Sequence, residues 1–79
     1  MRTLSPFWVF GFDSTHSALD AEALLGDMGI DVVPIPAPPV LTSQCGIAMR
    51  VPKEQADRAL EYLRRAQIDV KSSAEIEDV

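Results

Sequence analysis

The chain has 79 residues, of which 47% are hydrophobic and 24% are charged, and its formal net charge at pH 7 is −5. These values indicate one small globular domain, which buries only about 60% of its unfolded surface and would gain from self-association. The acidic charge argues against a nucleic-acid partner, and the lack of a long apolar run argues against a membrane-spanning protein. The first six residues lack the apolar core of a signal peptide, so we expect a cytoplasmic protein in a reducing compartment.

The first half of the chain predicts a strand, a helix and a second strand. Residues 7–12 form an aromatic and β-branched run, which is typical of a strand that is apolar on both faces. Ser14 or Thr15 can cap a following helix, and Gly29 can end it. Residues 30–35 regain β-branched character, and the prolines after them predict a stiff, extended loop. The apolar positions of the helix, at three- and four-residue spacing, are Ala18, Ala21, Leu24, Leu25 and Met28.

The second half predicts the same three elements again. Residues 46–51 indicate a third strand, and Pro52 suits the first turn of a second helix. A short fourth strand is predicted at residues 68–71, which closes a single domain spanning residues 1–71. The polar and acidic residues 72–79 are expected to form a frayed tail. The apolar positions of the second helix are Ala56, Ala59, Leu60, Leu63 and Ala66.

The predicted fold class is α+β. At this length, the order strand-helix-strand-strand-helix-strand favours a ferredoxin-like βαββαβ sandwich, in which two helices cover one face of an antiparallel four-stranded sheet. Phe7 and Val9 point to one face of this sheet, and Trp8 between them points to the other. One of these aromatic rows needs cover that the helices do not supply. We therefore predict a homodimer or a partner protein packed on it.

This topology brings Cys45, the only cysteine, close to the start of the first helix. Strands one and two end, and strand three begins, at the same edge of the sheet, so residues 13–16 and the loop 36–46 should be neighbours. The positive end of the helix and a protonated His16 would stabilise a thiolate there. Gly46 leaves room beside the sulfur for a reacting molecule.

Three segments of the chain carry a recognisable pattern. They are Phe12-Asp13-Ser14-Thr15-His16, with Ala18, Ala21 and Glu22 behind it, then Ile35-Pro36-Ala37-Pro38, and then Ser43-Gln44-Cys45-Gly46-Ile47-Ala48. In this order and spacing they resemble the family of small selenium and sulfur carrier-like domains, over roughly residues 6–71. Ser17 departs from the family pattern, where an acidic residue is common, and so does Pro39, where a basic residue often follows the second proline. The second departure weakens the case for a dedicated cationic contact with an anionic cargo.

The resemblance implies a carrier more than an enzyme with its own turnover. Cys45 would accept sulfur or selenium from a donor protein as a persulfide or selenosulfide, and pass it to an acceptor protein. The candidate binding residues around this cysteine are Ser14, Thr15, His16, Pro36, Pro38, Ser43 and Gly46.

The same residues also have simpler structural explanations. A single intracellular cysteine is commonly a small buried hydrophobe, and serine or threonine before a helix is first of all a cap. One cysteine cannot supply the Cys-x-x-Cys pair of a metal chaperone or an intramolecular disulfide oxidoreductase, so we predict no metal and no other cofactor. The alternative that stays open is a non-catalytic, dimeric regulatory or ligand-binding module.

Overall fold

The computed structural model describes residues 5–41 and 45–78 as a four-stranded sheet with two α-helices. The elements are β1 (Ser5–Gly11), α1 (Thr15–Asp27), β2 (Val33–Pro36), β3 (Ile47–Pro52), α2 (Ala56–Arg65) and β4 (Ser72–Asp78), with one 3-10 turn at Lys53–Gln55 before α2. All neighbouring strands pair antiparallel, in the order β2-β3-β1-β4. Each helix links two strands that flank a third one, which is the split arrangement of a ferredoxin-like βαββαβ fold. The predicted α+β fold class is confirmed.

The first helix begins and ends where local chemistry predicts. Ser14 is the N-cap in an extended conformation, and its hydroxyl oxygen accepts a hydrogen bond from the Ser17 N–H at 3.1 Å. At the other end Gly29 adopts a left-handed φ of +79°. The Ile30 N–H then bonds the Leu25 carbonyl at 2.9 Å, which closes the helix in a Schellman motif. Residue 30 therefore belongs to the helix cap, and β2 starts later than the apolar run suggested.

Both prolines of β2 lie on an edge of the sheet. Pro34 pairs with Met49 and Pro36 with Ile47, and no strand of the described chain lies beyond β2. An edge strand tolerates proline because a missing N–H can face outward. Ala37 is the next residue with an N–H, and it donates to the Gly46 carbonyl at 2.9 Å.

The predicted fourth strand at residues 68–71 is wrong. The Ile68 N–H bonds the Leu63 carbonyl at 2.9 Å, so Ile68 completes the cap of α2, with Gln67 in a left-handed conformation at φ 60°. The acidic segment that we expected to fray instead forms β4 from Ser72 to Asp78, paired along its whole length with β1.

The two faces of the sheet have separate apolar clusters. On the helix side the buried residues of both helices pack on β1 and β3, around Phe10 and Met49. On the opposite face Val9 is fully buried because Leu41, from the loop after β2, packs against it. The Arg50 guanidinium lies over the Phe7 ring, 4.3 Å from its centroid. Leu41 and Arg50 thus cover part of the apolar sheet face that the helices leave open.

Neither α-helix could cross a membrane. Within residues 5–41 and 45–78, no helix combines the length and the apolar character that a bilayer span requires.

Candidate functional site

The last residues of β1 and β2 and the first residue of β3 lie at the same end of the sheet. Gly11, the last residue of β1, pairs with Ala48, and Pro36, the last residue of β2, pairs with Ile47, the first residue of β3. The turn into α1 and the residues just before β3 therefore lie at the same end of the molecule. This is the placement that the topology predicted for Cys45 and the start of α1.

Cys45 is half-buried and points to the helix side of the sheet. Its side chain packs against the cluster that α1 and α2 form with the sheet. Its thiol donates a hydrogen bond to the Ile47 carbonyl, with 3.3 Å between Sγ and the oxygen. The hydrogen bond orients the thiol, and the residue is neither fully buried nor fully exposed.

Gly46, the residue after Cys45, has a backbone conformation that favours glycine. Its φ is +77°, a value that side-chain-bearing residues rarely adopt, and a Cβ built there would meet no atom within 4 Å. Its carbonyl accepts the Ala37 N–H, so the proline-rich loop is tied to the residue next to the thiol. That Gly46 leaves room for a reacting molecule at the sulfur stays a prediction.

Ser14 and Thr15 start α1 at this end of the sheet. The Ser14 hydroxyl accepts from the Ser17 N–H and also lies 3.1 Å from the Ser17 hydroxyl, to which it donates. Thr15 is the exposed first residue of the helix. The cap that the sequence predicted for this segment is thus made by Ser14.

His16 is directed to a carboxylate of its own helix. Its Nε2 lies 3.2 Å from Asp20 Oδ2, one turn further along α1, and its side chain is 88% exposed. A role for His16 at the thiol stays a prediction.

Pro36 and Pro38 belong to the loop that leaves β2. Pro36 is exposed at the end of the strand, and the Pro38 carbonyl accepts the Leu41 N–H at 3.0 Å in a turn. This turn is what brings Leu41 under the sheet. Ser43, the remaining candidate, lies outside the described residues.

Sequence reasoning missed a cation at this end of the molecule, Lys71. Its N–H bonds the Gly11 carbonyl at 2.8 Å, and its ammonium lies 4.0 Å from the Asp13 carboxylate. The pairing of Ser72 with Gly11 brings it there, so only a correct placement of β4 would have revealed it. In the described part of the chain, no group of three or more His, Cys, Asp or Glu side chains could hold a metal ion.

Comparison with known proteins adds one finding to this geometry. A family model described as "Putative Se/S carrier protein-like" matches residues 7–75, which include both helices, β2, β3 and part of β1 and β4. No curated protein and no solved structure matches the chain. The match covers most of the sequence and includes Cys45 and the start of α1. The chain therefore belongs to the family of Se/S carrier protein-like domains.

Proposed function

We propose that this protein is a cytoplasmic carrier that holds one sulfur or selenium atom on Cys45 and passes it from a donor protein to an acceptor protein. The observation that carries the proposal is the state of the Cys45 thiol, half-buried and oriented by the Ile47 carbonyl, beside the open position of Gly46. Membership of the Se/S carrier-like family supports it.

Loading needs no oxidant. The Cys45 thiol, which donates a hydrogen bond to the Ile47 carbonyl, first loses its proton to solvent. The thiolate then attacks the terminal sulfur of a donor persulfide, and the departing donor thiolate can take up a proton from solvent. A new S–S bond forms with the electron pair of Cys45, and the donor's own S–S bond breaks with its pair leaving on the donor thiolate. The products are a persulfide on Cys45 and a reduced donor.

Unloading is the same exchange in the opposite sense. A nucleophile of the acceptor attacks the terminal sulfur or selenium, and Cys45 leaves as a thiolate. In this proposal, the half-buried position keeps the inner sulfur against the core, while the terminal atom extends toward the space beside Gly46.

Two features at this end of the sheet would favour a negatively charged cargo. The N–H groups in the first turn of α1 and the Lys71 ammonium lie at the same end of the sheet as Cys45. Both favour negative charge on a persulfide, which is deprotonated more easily than a thiol. The carboxylate of Asp13, next to Lys71, offsets part of this effect.

We also propose that the carrier is a homodimer. The sheet face opposite the helices carries half-buried Phe7, Ile35 and Ile76, and Val33 on the same face is 36% exposed. Contiguous apolar surface of this kind is typical of interfaces.

The test of the carrier proposal is the intact mass of the protein after incubation with a cysteine desulfurase and cysteine. We expect an added mass of one sulfur, which a reductant removes, and no addition to the Cys45→Ser variant. Repeating the reaction with a selenium donor distinguishes the two elements. An accessible thiol that takes up no sulfur would contradict the proposal and favour the ligand-binding or assembly module.

A further inference from the structure

The loop 37–46, which joins β2 to β3, has residues on both faces of the sheet. Leu41 lies on the face opposite the helices, where it packs with Val9 and Ala48 and is only 8% exposed. Cys45, four residues later, packs against the cluster on the helix side. Two residues that are close together in the chain thus belong to the two separate apolar clusters of the protein.

Two hydrogen bonds fix the loop in addition to this burial. The Leu41 N–H bonds the Pro38 carbonyl at 3.0 Å, which places Leu41 in a turn. The Ala37 N–H bonds the Gly46 carbonyl at 2.9 Å, which joins the two ends of the loop. Moving the Leu41 side chain out of its cluster would expose apolar surface to water, which is unfavourable. Leu41 is therefore an anchor for the loop.

The short distance in sequence between Leu41 and Cys45 links the anchor to the thiol. Four residues span at most about 14 Å when they are fully extended. A layer that packs on a sheet face lies about 10 Å from it, so a segment that runs from such a layer to the other face uses most of this length. The position of Leu41 thus limits where Cys45 can lie.

We propose that Leu41 is a positioning residue for Cys45. Its burial on the face opposite the helices holds the loop so that the thiol lies against the helix-side cluster, oriented by the Ile47 carbonyl. This role rests on the proposed carrier function, because sulfur transfer between two proteins requires the reacting sulfur atoms to be aligned. Leu41 acts through Cys45 and does not need to contact the cargo.

The variant that tests this role keeps Leu41 and lengthens the chain after it. Inserting Gly-Gly between positions 42 and 43 adds slack between Leu41 and Cys45, at little cost in loop-closure free energy. The matched control inserts Gly-Gly between Ala37 and Pro38. It lengthens the same loop equally, but it leaves the spacing of Leu41 and Cys45 and the sequence of the turn unchanged.

The first readout is the rate at which iodoacetamide alkylates Cys45 in the folded protein. The thiolate attacks the carbon that carries the iodine, so a C–S bond forms and iodide leaves. We expect the insertion after position 42 to raise this rate about tenfold, because the thiol is released from the cluster that half-buries it. The control insertion should change the rate by less than about twofold.

The second readout is the rate of sulfur loading from a cysteine desulfurase supplied with cysteine. We expect the insertion after position 42 to lower this rate about tenfold, because a thiol that is not held in place is seldom aligned with the donor persulfide. The control insertion should load at the rate of the unchanged protein. Opposite changes in the two rates distinguish positioning from a general loss of structure, since unfolding would expose the thiol to both reagents.

Side-chain variants at position 41 test the anchor itself. Leu41→Ala should reproduce both changes, because it removes most of the side chain that is buried on the sheet. Leu41→Met conserves the volume and should keep both rates within about twofold of those of the unchanged protein. Circular dichroism checks that each variant is folded, and the insertion after position 42 decides the question if Leu41→Ala is not.

Three results would overturn the proposal. One is an unchanged alkylation rate after the insertion at position 42, and another is an equal increase with the control insertion. The third is faster alkylation with unchanged loading, because Leu41 would then shield the thiol without orienting it. Failure of the carrier proposal is distinguishable from these results. The unchanged protein would then take up no sulfur, whereas the alkylation rates would still show whether Leu41 holds the thiol in place.

Discussion

Among single residues, Gly46 has the clearest link between conformation and the candidate site. It directly follows Cys45, and its φ of +77° lies in the region that favours glycine. A Cβ there would meet nothing within 4 Å, so the constraint comes from the backbone of the residue itself and not from its neighbours.

We predict that Gly46→Ala lowers the free energy of unfolding by about 1 kcal/mol, because a residue with a Cβ is sterically destabilised in a left-handed backbone conformation. The measurement is urea denaturation at equilibrium. The control is Gly26→Ala in α1, where the added Cβ also meets no atom within 4 Å. There alanine should stabilise the helix by roughly 0.5–1 kcal/mol. If both alanine variants were more stable than the unchanged protein, the left-handed conformation of Gly46 would have no free-energy cost for alanine, which would contradict the prediction.

Among single residues, the contacts of charged side chains were the hardest feature to predict from the sequence. The sequence placed His16 near the thiol, whereas its partner in the structure is Asp20, one turn along α1. Lys71 reaches Asp13, which lies 58 positions earlier in the sequence. Exposed side chains have many possible partners of similar free energy, so residue type and local spacing do not select one.

Among the elements, α1 is the one whose start depends on a single side chain. Ser14 satisfies the N–H of Ser17, which would otherwise have no partner inside the helix. This end of α1 also faces the edge of the sheet where Cys45 lies.

We predict that Ser14→Ala costs about 1 kcal/mol of stability, since it removes the cap. Thermal unfolding followed by circular dichroism is the measurement. Thr15→Ala serves as the control, because Thr15 is an exposed helical residue, and we expect a change within about 0.5 kcal/mol. Equal losses for the two variants would mean that the Ser14 hydroxyl has no special role at the start of α1.

The helices and the fourth strand differ in how much the sequence revealed about them. Both ends of α1 follow from local signals. Ser14 caps its start, and Gly29, in a left-handed conformation, ends it. β4 has no such signal, because its inner positions are Ser72, Ala74 and Ile76, which alternate with exposed polar residues. Its pairing with β1 is what makes it a strand, and the apolar run before it was a helix cap.

For the whole molecule, the proposed dimer depends on the sheet face opposite the helices. Leu41 covers Val9, and Arg50 lies over Phe7, but Val33 remains 36% exposed on this face. A domain of 79 residues has a small core, so burial of this surface would add appreciably to its stability.

We predict a concentration-dependent dimer in sedimentation equilibrium. Val33→Lys should dissociate it, because Val33 pairs with Arg50 and the new cation would be buried beside an existing one. Leu19→Lys is the matched control, since Leu19 is 52% exposed on α1 and should leave the dimer intact. A monomer at every concentration of the unchanged protein would contradict the dimer.

The sequence by itself determined the order of the elements, the two ends of α1 and the position of Cys45 just before β3. These features depend on local chemistry: caps, the backbone limits of proline and glycine, and the period of apolar residues. Only the tertiary structure decided where β4 lies, how Leu41 covers Val9, and which charges meet at the edge of the sheet. These features depend on pairing between residues far apart in the chain. The stability of such pairs comes from several segments together, so no single segment of the sequence predicts them.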